Sequence, residues 1–132
     1  MSSTPTRATI YEDTAITCMA RIQSDDATNI LNEDVTSFKI STFTNGTTPT
    51  TETEVTSGFS NVNIFDTLQG SVAVPDARWD RDTIGYNFRY QVPASVFITG
   101  DATYTIEFEF TCPTQPTFFV IFVVDTVEVL TS

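Results

Sequence analysis

Residues 103–112 alternate strictly between apolar and polar side chains, and no other feature constrains the fold of this chain as much. The apolar members are Tyr104, Ile106, Phe108 and Phe110. Because successive side chains of a β-strand point to opposite faces, a period of two indicates a strand with one buried and one solvated face. The segment therefore predicts an antiparallel sheet that packs one face against a second layer.

The same alternation recurs in other segments, and no segment shows a helical period. The residues expected on inward faces are Ile16, Cys18, Ala20, Ile22, Phe38, Ile40, Tyr86, Phe88, Tyr90 and Val92. Leucine is rare, whereas threonine, phenylalanine and valine are abundant, and such β-branched and aromatic side chains favour strands. Together these patterns predict an all-β fold, an antiparallel β-sandwich.

The length of 132 residues corresponds to one domain. Residues 1–8 are rich in Ser, Thr and Pro and lack periodicity, so we expect an extended N-terminal arm followed by a single sandwich domain over residues 9–132. Residues 44–58 are mostly turn formers, which predicts a long exposed loop or an edge hairpin around Asn45-Gly46.

The charge balance is strongly acidic, with 17 Asp and Glu against 6 Lys and Arg and a formal net charge of −11. Binding to a phosphate backbone needs basic side chains that displace counterions, so nucleic acid is not an expected partner. The chain has no histidine, which excludes Ser-His-Asp and Cys-His catalysis, and Lys39 is the only candidate amine base. We expect a protein that is not an enzyme and has no cofactor.

Paired carboxylates are the remaining catalytic possibility. Glu107 and Glu109 share one face of a predicted strand, about 6.6 Å apart at about 3.3 Å per residue. That separation touches the ~6.5–9.5 Å range of inverting glycosidases. Neighbouring acids on a solvated sheet face are common, however, so the spacing does not predict a hydrolase.

A second acidic group, Asp76, Asp80 and Asp82, could supply oxygen ligands to calcium together with Asp25 and Asp26. The spacing lacks the Asp-x-Asp-x-Asp-Gly loop of calcium-binding hands. Two interleaved arginines can neutralise these acids in ion pairs. No metal site is therefore predicted.

The two cysteines, Cys18 and Cys112, are too few for a disulfide framework and lack zinc-site spacing, so we expect two buried free thiols. The first seven residues lack the apolar core of a secretory signal. The longest apolar run, Phe118–Val124, is too short to span a bilayer. These features predict a soluble protein made in the cytosol, with no membrane partner.

Residues 117–124 form a predicted strand that is apolar on both faces. Its odd-numbered face continues through Val127 and Val129, so we expect the odd-numbered side chains of this strand in the core. The side chains expected to point outward are Phe118, Val120, Phe122 and Val124. A bare apolar row of this kind would aggregate, so it needs a cover. Either the chain's own arm or its 44–58 loop covers it, or a neighbouring subunit does.

Residues 97–108 resemble the turn into the penultimate strand of immunoglobulin and fibronectin type III domains. In those domains a tyrosine at the start of the strand forms a hydrogen bond back across the corner, and Tyr104 stands at that position. Ile106 stands where antibody domains have their second cysteine, so their inter-sheet disulfide is not expected here.

The C-terminal half also resembles small immunoglobulin-like proteins of the head and tail genes of tailed bacteriophages. The resemblance rests on the sequences Asp66–Gln69, Arg78-Trp79-Asp80, Asp82–Tyr90, Val92-Pro93 and Tyr104–Thr111. It implies that the Trp-Asp and Gly-Tyr-Asn-Phe pieces are structural and hold a loop against a core strand. It also implies a virion component made in the bacterial host cytoplasm, first a capsid decoration or cement protein and second a tail, neck or baseplate protein.

The partners expected for such a protein are major capsid or tail subunits, with the chain bound to their lattice or forming a homo-oligomer. We expect Phe118, Val120, Phe122 and Val124, with Arg7 of the arm, to form that protein interface. The contact should bury at least ~1,000 Å².

A carbohydrate- or receptor-binding module is the alternative. In that case Trp79, Tyr86 and Tyr90 would stack on sugar rings near Asp80 and Asp82. A sugar site needs its rings exposed on a loop rim, whereas the strand alternation turns Tyr86 and Tyr90 inward.

Overall fold

The computed structural model describes residues 6–24, 28–45, 49–60 and 62–129, and these residues are built from strands and loops with two short 3₁₀ turns. The strands are β1 (Thr6–Tyr11), β2 (Ile16–Ala20), β3 (Ser37–Thr44), β4 (Pro49–Val55), β5 (Ile64–Gln69), β6 (Tyr86–Val92), β7 (Thr103–Cys112) and β8 (Gln115–Val127). The 3₁₀ turns are Asn32–Asp34 and Ala94–Val96. The all-β prediction is confirmed.

The strands form two sheets, one of five strands in the order β1-β8-β7-β3-β4 and one of three strands in the order β2-β6-β5. All pairs are antiparallel except β1 and β8, which run parallel from Thr6 opposite Phe122 to Tyr11 opposite Val127. Residues 6–8, which the sequence assigns to an arm, thus begin a strand of the larger sheet. Residues 1–5 lie outside the described residues.

Aromatic side chains fill the space between the two sheets. Phe88 of the smaller sheet meets Phe108 and Phe110 of the larger sheet with ring centroids 4.9 and 5.0 Å apart. Phe38 meets Phe88 edge-on at 5.8 Å. The inward residues of β7 are all buried, with Tyr104 2% exposed and Ile106, Phe108 and Phe110 at 0%. The period-two pattern therefore predicted the core face of this strand correctly.

The segment 44–58 adopts the hairpin alternative. β4 pairs antiparallel with β3, from Phe38 opposite Val55 to Phe43 opposite Pro49. It lies at the edge of the larger sheet. Asn45 begins the turn at φ 55°, a left-handed conformation that asparagine tolerates. Residues 46–48 lie outside the described residues.

Tyr104 begins the strand β7 and is almost fully buried. Its hydroxyl accepts a hydrogen bond from the backbone N–H of Thr99 at 3.1 Å, and its ring meets Phe97 edge-on at 5.2 Å. This is the bond across the corner that the resemblance implied. It fixes the loop that carries the chain from the smaller sheet to the larger one.

Candidate interaction surface

The even-numbered side chains of β8 lie in the protein's own core, so the prediction that they point outward is wrong. Phe118, Val120, Phe122 and Val124 are 7%, 9%, 6% and 0% exposed. Phe122 meets Phe108 edge-on at 5.8 Å, and Phe118 stacks on Phe110 at 4.9 Å. These four side chains therefore cannot form a docking surface in the folded chain.

A bulge at the start of the β7–β8 hairpin explains the reversal. Cys112 pairs with Gln115, but Phe110 pairs with Phe118, so β8 advances three residues while β7 advances two. Without the bulge, the even side chains of β7 would lie opposite the odd side chains of β8. Since facing residues of paired strands share a face, one extra residue moves every later side chain of β8 to the other side of the sheet.

The odd-numbered side chains of β8 form an apolar column on the outside of the larger sheet. The column consists of Phe119, Ile121 and Val123, of which Phe119 is 37% exposed and the other two are half-buried. The sequence pattern assigned these residues to the core. Residues 118–124 are apolar on both faces and do not signal the choice, but the charged Asp125 on the odd-numbered face of the same strand could have indicated that this face points outward.

Carboxylates flank this apolar column on the outer face of β7. Glu109 lies opposite Phe119, and Glu107 lies opposite Ile121. Further along the sheet, Lys39 lies between the carboxylates of Glu109 and Glu52, with Nζ 3.9 Å from an oxygen of each. The outer face therefore combines an apolar column with a predominantly acidic neighbouring region. Glu107 and Glu109, the carboxylate pair considered for hydrolysis, belong to this open face.

Arg7, a predicted interface residue, lies on the same outer face. It is opposite Val123 in the β1–β8 register, and its guanidinium forms an ion pair of 3.0 Å with Asp125. Asp125 also accepts a hydrogen bond of 2.9 Å from the Thr103 hydroxyl, and these two bonds lower its pKa, the hydroxyl more than Arg7. Arg7 therefore borders the apolar column, and its interface role stays a prediction.

Trp79 and Gly85, one from the Trp-Asp piece and one from the Gly-Tyr-Asn-Phe piece, hold the 70–85 loop through the carboxylate of Asp82. One carboxylate oxygen of Asp82 accepts hydrogen bonds from Trp79 Nε1 and from the backbone N–H groups of Ile84 and Gly85, each at 3.0 Å. The other accepts one from Arg21 at 2.8 Å. The bonds from Gly85, then Arg21 and Trp79, hold the pKa of Asp82 well below its usual range. This saturated carboxylate is a structural anchor.

The side chain of Asn87 binds the backbone of the segment that follows β2. It is 1% exposed, accepts a hydrogen bond from Ile22 N at 2.6 Å, and donates bonds of 2.9 Å to the carbonyls of Ile22 and Ile30. A buried asparagine with all these partners ties together three chain segments. Its role is therefore also structural.

The aromatic residues considered for sugar stacking do not form an exposed platform. Tyr86 is 0% exposed, and its ring packs against Phe65 and Trp79. Its hydroxyl donates to Asp76, whose pKa is lowered by hydrogen bonds from Arg78 first and Tyr86 second. Tyr90 packs edge-on against Phe38 and Phe108. Asp76, one of the carboxylates considered for calcium, is therefore bound to Arg78 and Tyr86.

Cys18 and Cys112 are both buried and unpaired, as predicted. Burial raises the pKa of Cys18 to about 12 and also raises that of Cys112. Within the described ranges, no three His, Cys, Asp or Glu side chains are placed to hold a metal ion. None of the helical segments described has the length and hydropathy to span a bilayer.

Comparison of the chain with protein-family models, with curated proteins and with solved structures found no match.

Proposed function

We propose that the protein is a structural component of a tailed-phage virion, a capsid decoration protein that binds neighbouring shell subunits through the outer face of its five-stranded sheet. The observation that carries the proposal is the column of Phe119, Ile121 and Val123 on that face. A contiguous apolar surface on a water-soluble sheet marks a site of protein contact. The acidic residues beside it favour a partner whose contact surface is apolar with basic residues at the rim.

The strand order supports an immunoglobulin-like type for the fold. Immunoglobulin domains place their third, sixth and seventh strands in one sheet and their second, fourth and fifth in the other. Here β3, β7 and β8 share the larger sheet, while β2, β5 and β6 share the smaller one. The added strand β4 and the Tyr104 corner fit the same type. The first strand differs, since β1 pairs with β8 instead of joining the smaller sheet.

The Trp79–Asp82 and Asn87 contacts support the resemblance of the C-terminal half to small phage proteins. In both places a residue quoted for the resemblance bonds to loop backbone: Asp82 to the N–H groups of Ile84 and Gly85, and Asn87 to the carbonyls of Ile22 and Ile30. A tail, neck or baseplate protein is the second candidate. Such a protein would use the outer face of the five-stranded sheet to bind tail subunits instead of capsid subunits. Its location in the particle distinguishes these two candidates.

The experiment is the incorporation of the protein into phage particles. The wild-type protein should co-purify with particles, at a stoichiometry matching a capsid subunit lattice when counted by densitometry. The test variant is Phe119→Ser/Ile121→Ser, which removes two of the three side chains of the apolar column. We expect it to fold and to be lost from the particles.

The control is Val72→Ser/Ile84→Ser, which removes two exposed apolar side chains from the 70–85 loop, where they are 80% and 52% exposed. This variant should remain bound. Equal loss of both variants would contradict docking through the β8 column. Absence of the wild-type protein from particles would contradict the virion role.

A further inference from the structure

The sandwich is open at one corner, and the structure leaves a cavity of about 440 Å³ there between the sheets. β5 pairs with β6 at Ile64–Phe88 and Gln69–Tyr86, so its ladder ends before Tyr90. Next to this ladder, Asn63 accepts a hydrogen bond from Arg89 N through its carbonyl and donates one to the Arg89 carbonyl through its side chain. The smaller sheet therefore leaves part of β3 and β4 uncovered.

The cavity is lined by neutral side chains. Apolar groups come from residues such as Ile40, Val92 and Ile98, and hydroxyl groups come from residues such as Thr53 and Tyr90. No lining residue within the described ranges carries a charge. Ile98 is 65% exposed, so the lining includes an apolar side chain that is open to solvent. These properties suit a neutral, mainly apolar side chain of a binding partner.

The edge strand β4 lies beside this cavity. Among the residues that the structure describes, β4 is the terminal strand of the larger sheet, and β3 is its one neighbour in that sheet. Its side chains alternate between the two faces, so Thr53 faces the cavity while Glu52 and Glu54 face outward. An edge strand has a free row of backbone donors and acceptors, which can pair with an added strand.

The charges on β4 decide which strand fits. Glu52 and Glu54 are both exposed, and the nearby cation Lys39 is shared between Glu52 and Glu109. A second copy of this edge would bring like charges together, in a chain with a net charge of −11. A strand with basic side chains on its outward face would meet opposite charges instead.

We propose that β4 binds an extended segment of a partner protein in which basic residues alternate with apolar residues. The segment adds to the larger sheet as a sixth strand, by β-augmentation. Its basic side chains meet Glu52 and Glu54, and its apolar side chains enter the cavity beside Thr53. This site is separate from the β8 column and does not depend on a virion role.

The test uses an acetylated, amidated synthetic peptide of alternating Lys and Val, seven residues long, with binding followed by two-dimensional amide NMR. We expect saturable shifts at residues 52–55 and at cavity residues, together with slowed amide exchange along β4. The same peptide N-methylated at every backbone nitrogen should not bind, since neither of its edges can donate to a backbone ladder. A peptide of alternating Lys and Ser should bind more weakly, because it leaves the cavity unfilled.

The charge contribution is tested with Glu52→Gln/Glu54→Gln, which should weaken binding about three- to tenfold, as expected for two exposed charge pairs. The control, Glu33→Gln/Glu128→Gln, changes the net charge equally on other elements and should bind like the wild type. Three results would overturn the proposal: no binding of the Lys-Val peptide, equal binding of the N-methylated peptide, or shifts confined to residues outside β4 and the cavity.

Discussion

At the residue scale, Gly85 lies where the two ends of the 70–85 loop approach each other. Gly85 has φ +106°, and a Cβ there would overlap the carbonyl oxygen of Gln69. Gly58 also has a positive φ, +75°, but a Cβ there would meet nothing within 4 Å. A side chain at position 85 would therefore cause both backbone strain and a backbone clash, whereas a side chain at position 58 would cause backbone strain alone.

We expect Gly85→Ala to lower the free energy of unfolding by more than about 3 kcal/mol, and Gly58→Ala by about 1–2 kcal/mol. Urea unfolding at neutral pH measures both. If the two variants lost equal stability, the close approach between Gly85 and Gln69 would not be part of the native structure.

Asp82 predicts a pH dependence of stability. Its pKa is lowered in the folded protein, chiefly by the Gly85 N–H and then by Arg21 and Trp79. A carboxylate with a lowered folded pKa stabilises the fold above its unfolded pKa of about 3.9, and this stabilisation is lost as the pH falls through and below that value. We therefore expect Asp82→Asn to flatten the fall in unfolding free energy below about pH 5.

The measurement is urea unfolding between pH 2 and 7. Asp80→Asn, which removes an exposed carboxylate two residues away, is the control and should keep the wild-type profile. An Asp82→Asn profile that matches the wild type throughout would show that the Asp82 network does not stabilise the fold.

The cysteines give a third prediction at this scale. Because Cys18 is 1% and Cys112 8% exposed, neither thiol should react with a soluble disulfide reagent in the native protein, and both should react after unfolding. Titration with Ellman's reagent in buffer and in guanidinium chloride checks this. Finding no thiols after unfolding would mean that the cysteines are linked.

At the element scale, the orientation of β8 has a direct energetic consequence. Phe122 lies in the core against Phe108, whereas Phe119 lies on the outer face beside Glu109. We expect Phe122→Ala to cost ~3–5 kcal/mol of stability, as for other buried phenylalanines, and Phe119→Ala to cost less than ~1 kcal/mol. Thermal or urea unfolding of the two variants measures the difference, and the reverse order would show that the strand faces the other way.

The same strand shows how far the sequence predicts the fold. β7 and β6 have one mainly polar and one apolar face, so their alternation identified the inward-facing apolar side chains, although Asn87 on the other face of β6 is buried as well. Residues 118–124 of β8 are apolar on both faces, and the bulge between Phe110 and Cys112 decides which face is buried. A bulge depends on how two strands pair, and a pattern within one strand does not reveal it. The apolar run Val72–Val74 shows a different limit of sequence patterns. Its composition resembles that of a strand, but it lies in the 70–85 loop with Val72 exposed.

The candidate surface was predicted only in part. The sequence identified the correct strand as the source of an outward apolar row, because a strand that is apolar on both faces must expose one of them. It named the wrong four side chains, since the choice depends on the bulge. Arg7 was placed near the surface by its position in the chain, and its pairing with Asp125 required the parallel register of β1 with β8.

At the scale of the whole molecule, the proposed docking role assigns different contributions to the acidic charge and to the apolar column. With a net charge of −11, copies of the protein repel each other over ~8–10 Å at physiological ionic strength. In the proposed role the apolar contact supplies the affinity, and the carboxylates beside it orient a basic partner surface. The even-numbered side chains of β8 pack in the sandwich core, and the odd-numbered ones are the proposed docking surface.

The most direct test of this division is thiol labelling of single-cysteine variants. In a Cys18→Ala/Cys112→Ala background, Phe119→Cys and Val124→Cys place one thiol on each face of β8, and Val124 is 0% exposed and close in size to cysteine. We predict that the thiol at position 119 reacts rapidly in the free protein and is protected once the protein is bound to particles, while the thiol at position 124 is unreactive in both states. Rapid labelling at 124, or equal labelling at 119 in the free and bound states, would contradict docking through the outer face.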